Sequence, residues 1–156
     1  MNLTGEEWIA APRHEVWDAL NDADVLKACI PGCEQLDWVS DTELEATLAV
    51  KLGLIKPRFS GAIYLSNLNP PFSYTISCEG KGSIAGIARG GADVTLLDEG
   101  ARTRLVYEVH ADVGGKIAKY GSSLISSTAR RISTRFFERF NETVSAATPG
   151  TEGLSQ

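Results

Sequence analysis

From Cys33 the hydrophobic pattern of this chain repeats every two residues, and after Gly114 and Gly115 it changes to a repeat of three or four. Turn clusters at SDTE, LGLIKP, NLNPP, EGKG and LDEGA divide the first part into six strand-like runs. These read as an antiparallel meander with one covered face and one wet face. The cleanest run is TELEATLAVKL, in which Leu44, Ala46, Leu48, Val50 and Leu52 share one side and Glu43, Glu45, Thr47 and Lys51 the other. Phe59, Ile63 and Leu65 continue the apolar side, followed by Tyr74, Ile76 and Cys78, then Ala92, Val94 and Leu96, then Leu105, Tyr107, Val109 and Ala111.

The cover for that face is the last helix, predicted from just after Gly115 to about Thr143, roughly 40 Å long. Its inward line is Ile117, Gly121, Leu124, Thr128, Ile132, Phe136 and Phe140. Upstream, residues 2–10 read as a first strand. Pro12 suits the first turn of a short helix carrying Val16, Trp17 and Leu20. Asp22 is the N-cap of a second helix, which stops at Ile30 because Pro31 steers its predecessor away from helical angles. The expected class is α+β: seven antiparallel strands, two short helices between the first two, and a long C-terminal helix. At 156 residues and 43% hydrophobic the chain is one domain, placed at 1–145, with a disordered tail over 146–156.

Composition removes several functions. A net charge of -5 argues against nucleic acid. The start, MNLTGEEWIAAPRHEVW, has no leader pattern, and nowhere do about 18 apolar residues run together, so a cytosolic protein is expected. Cys29, Cys33 and Cys78 are an odd set, read as free thiols and small buried hydrophobes; with only His14 and His110 elsewhere, no metal or other cofactor is expected. VGGKI is no P-loop, since His110 and Ile117 stand where that motif needs Gly and Ser or Thr, and GKGSIAG lacks the strand-to-helix passage of a dinucleotide site.

What remains is a helix that is thin where it should be thick. In YGSSLISSTA, Gly121 and Thr128 interrupt the inward line, whereas Ile132, Phe136 and Phe140 fill the second half. Alternate hairpins of a meander fall at one end, so LGLIKP, EGKGSIAGIARGG and DVGGK gather at one rim, where Gly82, Gly86 and Gly90 mix with Ala85 and Ala88. Either helix and sheet approach closely there, or a pocket opens. The pocket reading assigns its sheet wall to Leu48, Val50, Ile63, Ile76, Gly86 and Tyr107. Its helix wall is Ile117, Tyr120, Gly121, Leu124, Thr128 and Ile132.

The hydroxyls of Tyr107, Thr128, Tyr120 and Ser127 suit hydrogen bonds to carbonyl oxygens more than proton abstraction. Glu108 and His110 fall on the wet phase. Glu7 is the one acid in phase with an inward set, Leu3, Gly5 and Ile9, unless a bulge turns Trp8 inward instead. At the rim, Leu54 and Ile55 beside Lys56, Lys81 and Lys116 read as a mouth or as a shallow contact with an anionic bilayer. Arg131, Arg135 and Arg139 form a stripe that is either a solvated face or a docking edge for an acidic partner surface.

The stretches APRHEVWDALND, LKACIPGCE, NPPFSYTISCEGKGSIAGIARG, TRLVYEVHADVGGKIAKYGSSLI and FFERF, spanning about residues 2 to 144, resemble the CoxG family, the G-type subunits of carbon monoxide dehydrogenase. That family is a branch of the START-like, helix-grip (SRPBCC) superfamily. The resemblance implies a curved sheet gripping the last helix around an apolar cavity. It also implies an accessory protein rather than the dehydrogenase itself, one that handles a lipophilic molecule such as a quinone and brings a molybdenum hydroxylase to the membrane. Longer members continue through a Pro/Ala-rich linker to an apolar anchor; with TPGTEGLSQ as the last residues, peripheral contact at the inner face of the cytoplasmic membrane is expected rather than permanent anchoring. Two alternatives stand beside the carrier: a cyclase- or hydratase-like enzyme using Glu7 or Tyr107, and a pure docking adaptor.

Overall fold

The structure is a computed structural model that describes residues 1–82 and 86–147, with the backbone alone described for 115–117 and 146–147. Strand β1 (Asn2–Ile9) leads into helices α1 (Arg13–Leu20) and α2 (Ala23–Cys29). Then come β2 (Cys33–Ser40), β3 (Glu43–Ala49), β4 (Arg58–Asn69), β5 (Ser73–Gly82), β6 (Gly86–Glu99) and β7 (Arg102–Val113). A 3-10 segment (Gly115–Tyr120) and helix α3 (Ser122–Ala147) complete the described chain. The strands form one seven-stranded antiparallel sheet in the order β1-β7-β6-β5-β4-β3-β2. From β2 to β7 each strand pairs with its successor, so the short connections are satisfied. β1 joins the far edge because α1 and α2 carry the chain across.

Local chemistry explains the element ends. Pro12 takes the N-cap of α1 at φ -64, an angle its ring imposes. The Asp22 carboxylate accepts from the Asp24 and Val25 amides at 2.9 and 3.3 Å, occupying two of the free N–H groups at the start of α2. Ile30, held extended at ψ 118, ends α2 before Pro31.

The EGKG cluster proves to be strand, since β5 runs through to Gly82; residues 83–85, with Ala85 among them, lie outside the described residues. The β1 phase is Leu3, Gly5, Glu7 and Ile9 inward, while Trp8 lies outside beneath the Arg102 guanidinium, 4.6 Å from its ring centre. The main core joins Ile9, Val16, Leu20, Leu96 and Leu105 to Phe140 and Val144, with Phe136 and Phe137 against it. Asn141 fixes α3 to the end of β1 by accepting from the Ala10 amide at 3.0 Å and donating to the Trp8 carbonyl at 2.8 Å.

The predicted continuous helix is broken. Gly121 has φ 86 and ψ 155, outside any helix, and separates the 3-10 segment from the 26 residues of α3, about 39 Å. Periodicity reports which side a residue faces and is blind to a residue able to adopt a positive φ; glycine can do so without strain. Gly121 is therefore a joint and not a thin position within the helix. A leucine there would be strained whether or not space surrounds it.

Candidate ligand-binding site

Between α3 and the inner faces of β3 to β7 lies a cavity of about 390 Å³, within the roughly 300–1,000 Å³ range of small-molecule pockets. Its space comes mainly from the sheet. Strand register sets Ala46 opposite Gly61, Gly61 opposite Gly80, and Gly80 opposite Ala88, a row of small residues across four strands. In the next row Cys78 faces Gly90, and Gly90 faces Ala111. Leu48, Val50, Leu52 and Phe59 close one side, and Ile63, Ile76, Ala92 and Val109 another. Helix α3 supplies Ile125, Thr128, Ala129 and Ile132. Past Ile132 the stacked rings of Phe136 and Phe140, 5.5 Å apart, fill the gap between helix and sheet.

Close approach occurs between neighbouring strands, while the space lies between sheet and helix. A Cβ on Gly61 would lie 1.9 Å from the Glu79 carbonyl oxygen, and one on Gly90 would lie 2.8 Å from that of His110. Neighbouring backbone therefore excludes a side chain at both. A Cβ on Gly80 would meet only the Phe59 Cβ at 3.5 Å and the Ser60 oxygen at 4.0 Å, ordinary contacts.

Of the residues assigned from sequence, Leu48, Val50, Ile63, Ile76, Thr128 and Ile132 line this cavity. Five others are not among its lining residues. Gly86 pairs with Gly82 at the outer end of the β5–β6 hairpin. The Tyr107 ring lies over Gly5 of the neighbouring strand and stacks on Phe137 at 5.4 Å. Tyr120 and Gly121 are exposed at the joint before α3. Leu124 packs against Leu52 and Phe59. The side chain of Ile117 lies outside those described. Sequence reasoning missed Gly61, Gly80, Ile125 and Ala129; Gly61 is in phase with Phe59 and Ile63, and Gly80 with Ile76 and Cys78, so alternation held the signal.

The titratable groups sort by face. Glu7 is on the inner side of β1, where partial burial raises its pKa, and it raises that of Tyr107 in turn, behind the larger effect of burial on the phenol. Neither lines the cavity. Glu108 and His110 are exposed, and the His110 Nδ1 lies 3.0 Å from Asn2 Oδ1. Glu79 and Arg89, both exposed, are ion-paired across β5 and β6 at 3.3 Å. Cys29 is buried, but Cys78, expected to be buried too, is exposed on the cavity wall, where apolar surroundings push its thiol pKa up. Among the described residues no three His, Cys, Asp or Glu side chains gather as a metal site.

The β3–β4 connection contributes Val50 and Leu52 to one end of the cavity. Leu52 and Ile55 exchange backbone hydrogen bonds of 2.8 and 3.2 Å around Gly53 and Leu54, which places the Leu54 side chain wholly in solvent. Ile55, Ile87 and Tyr120 are exposed too, as are Lys51, Lys56 and Lys81; the side chain of Lys116 lies outside those described. Arg131 donates to the Lys51 carbonyl, pinning this connection to α3, while Arg135 and Arg139 are exposed.

A curved antiparallel sheet, two short helices after its first strand and a long C-terminal helix over an apolar hollow define a START-like, helix-grip protein with a hydrophobic ligand cavity. The chain belongs to the CoxG family, the G-type subunits of carbon monoxide dehydrogenase, whose profile matches residues 5–145. Among solved structures it is similar to a conserved protein from Geobacillus kaustophilus (TM-score 0.88, 25% identity, covering 94% of this chain and 97% of that one). It is also similar to the TTHA0849 protein of Thermus thermophilus (0.71, 18%, 95% and 99%). A third is the Zhui aromatase/cyclase from Streptomyces sp. R1128 (0.65, 16%, 93% and 93%), at an identity that speaks for the fold alone. No curated protein matches the chain. No helix among the described residues is long and apolar enough to cross a membrane.

Proposed function

We propose that this chain is a non-catalytic accessory protein that carries a lipophilic, quinone-like molecule and serves a molybdenum hydroxylase of the carbon monoxide dehydrogenase type. The observation that carries this reading is the 390 Å³ cavity, walled mainly by aliphatic side chains and glycines, with the exposed apolar residues Leu54 and Ile55 on the connection that closes one end of it. Water gains little from such a hollow, whereas a flat apolar ring buried there is removed from solvent at roughly 25 cal/mol per Å². Membership of the CoxG family supports the choice of partner. Exposed Arg135 and Arg139 are the residues we assign to docking on it. Glu7 and Tyr107, which a cyclase-type reaction would use, lie off the cavity, so the carrier is preferred to the enzyme. Native mass spectrometry of the purified protein, backed by organic extraction, is expected to find a neutral isoprenoid at up to one per chain. A cavity empty in every preparation, with hydroxylase binding intact, would favour the adaptor and end the carrier reading.

The β3–β4 connection is the surface we assign to a bilayer. Leu54 and Ile55 would enter the headgroup region while Lys51, Lys56 and Lys81 meet anionic lipid. In flotation with phosphatidylglycerol vesicles, Leu54→Ser combined with Ile55→Ser is expected to lower binding at least about thirtyfold, since each side chain contributes about 1 kcal/mol or more when partly buried. Undiminished flotation of the double variant removes the membrane from the proposal.

A further inference from the structure

One group on the cavity wall does not fit its surroundings. Thr128 is 5% exposed and lines the cavity, yet its hydroxyl oxygen has no hydrogen-bond partner. A threonine within a helix ordinarily gives its hydroxyl proton to the carbonyl four residues back, here that of Leu124. That acceptor is already engaged: Ser127 Oγ donates to it at 3.0 Å, beside the backbone N–H bond of the helix. Both lone pairs of the oxygen are thereby used. Ile125, Ala129 and Ile132 share the same wall and are apolar, so the position sits in a setting that asks for valine. A buried hydroxyl left unpaired destabilises a fold, and a valine of the same shape would remove the penalty.

Building on the carrier reading of this cavity, we propose that Thr128 is its polar anchor, donating to a neutral acceptor oxygen, a carbonyl or an ether, on an otherwise apolar guest. The hydroxyl oxygen is buried. Threonine populates two χ1 rotamers in helices, however, and the anchor acts through a χ1 step that carries Oγ1 to another of the three staggered positions on Cβ, on the side of the hollow. A charged guest does not fit: Arg89 and Glu79, the charged residues at the cavity's edge, neutralise each other, and an ion without a counter-charge in an apolar cavity is strongly disfavoured. A single hydroxyl on the helical wall sets orientation as well as class, because the guest's oxygen must lie against the second turn of α3.

The test compares benzophenone with diphenylethylene, in which a methylene replaces the carbonyl oxygen, by equilibrium dialysis against the full chain. The readout is the ratio of the two affinities, which cancels each probe's own transfer from water when variants are compared. Thr128→Val and Thr128→Ala are each expected to shift the ratio about tenfold against benzophenone, the size of one net hydrogen bond. Diphenylethylene should bind Thr128→Val at least as well as it binds the wild type, and Thr128→Ser should keep the wild-type ratio. Thr128→Val should also melt higher than the wild type without ligand. A ratio that stays put in both the Val and Ala variants overturns the anchor and leaves the carrier reading standing. Failure of both probes to bind the wild type overturns the carrier reading, and the anchor with it.

Discussion

Gly61→Ala is expected to destabilise the fold by about 3 kcal/mol or more, while Gly80→Ala, one strand away in the same row, changes stability by less than about 1 kcal/mol. The two glycines are cross-strand partners on one face of the sheet, so propensity and exposure treat them alike. They differ in what a methyl group would meet. At Gly61 it falls 1.9 Å from a carbonyl oxygen and 2.8 Å from the Gly80 Cα, atoms that move only if β4 and β5 separate. At Gly80 it finds a Cβ 3.5 Å away, a normal contact, and the loss of chain freedom in the unfolded state favours alanine. Urea unfolding of both variants, compared at constant m-value, measures the difference. Equal midpoints would mean that the strands do not approach as described and that the curvature behind the cavity has another origin.

Ala129→Phe is expected to weaken binding of an apolar probe such as diphenylethylene by at least about thirtyfold while leaving the melting temperature unchanged or raised. Ala129 is half-buried on α3 and its methyl group faces the cavity between Thr128 and Ile132. A benzyl group there intrudes into the 390 Å³ available and competes with a two-ring probe for the same space. Because the space is already empty, the ring buries apolar surface without displacing a neighbour. Overpacking in a filled core instead typically loses about 1 to 3 kcal/mol. Lost stability together with lost binding would show that helix and sheet were in contact here. Retained binding would show that the guest lies elsewhere.

Much of this architecture was legible because alternation and helical spacing are direct readouts of which side of an element faces water. The meander, both short helices, the inward phase of β1 and the aromatic block at Phe136 and Phe140 all followed from that. The cavity was harder. Thinness is predicted along the helix at Gly121, which is a joint, and in the sheet around Gly86, which lies beyond the hollow, although Ala88 and Gly90 of the same stretch do line it. The space arises where residues far apart in sequence, Ala46, Gly61, Gly80 and Ala88, fall side by side, and a lateral row appears only when the register of every strand is known. The same holds for Tyr107: its phase correctly places it inward, but only the pairing with Gly5 shows its ring spent on covering β1. The solitary hydroxyl of Thr128 depends on its neighbour Ser127 taking the nearest carbonyl, a competition no pattern reports.

The floor and the roof of this chamber differ in how freely evolution can redraw them. Main chain clamps the floor at Gly61 and Gly90, so enlarging a residue at either place warps the whole vault and leaves it no snugger. The roof hangs from one rod whose downward side chains, Ile125, Ala129 and Ile132, meet open space. A lineage that changed its cargo would therefore rewrite those few helical letters and inherit the vault intact.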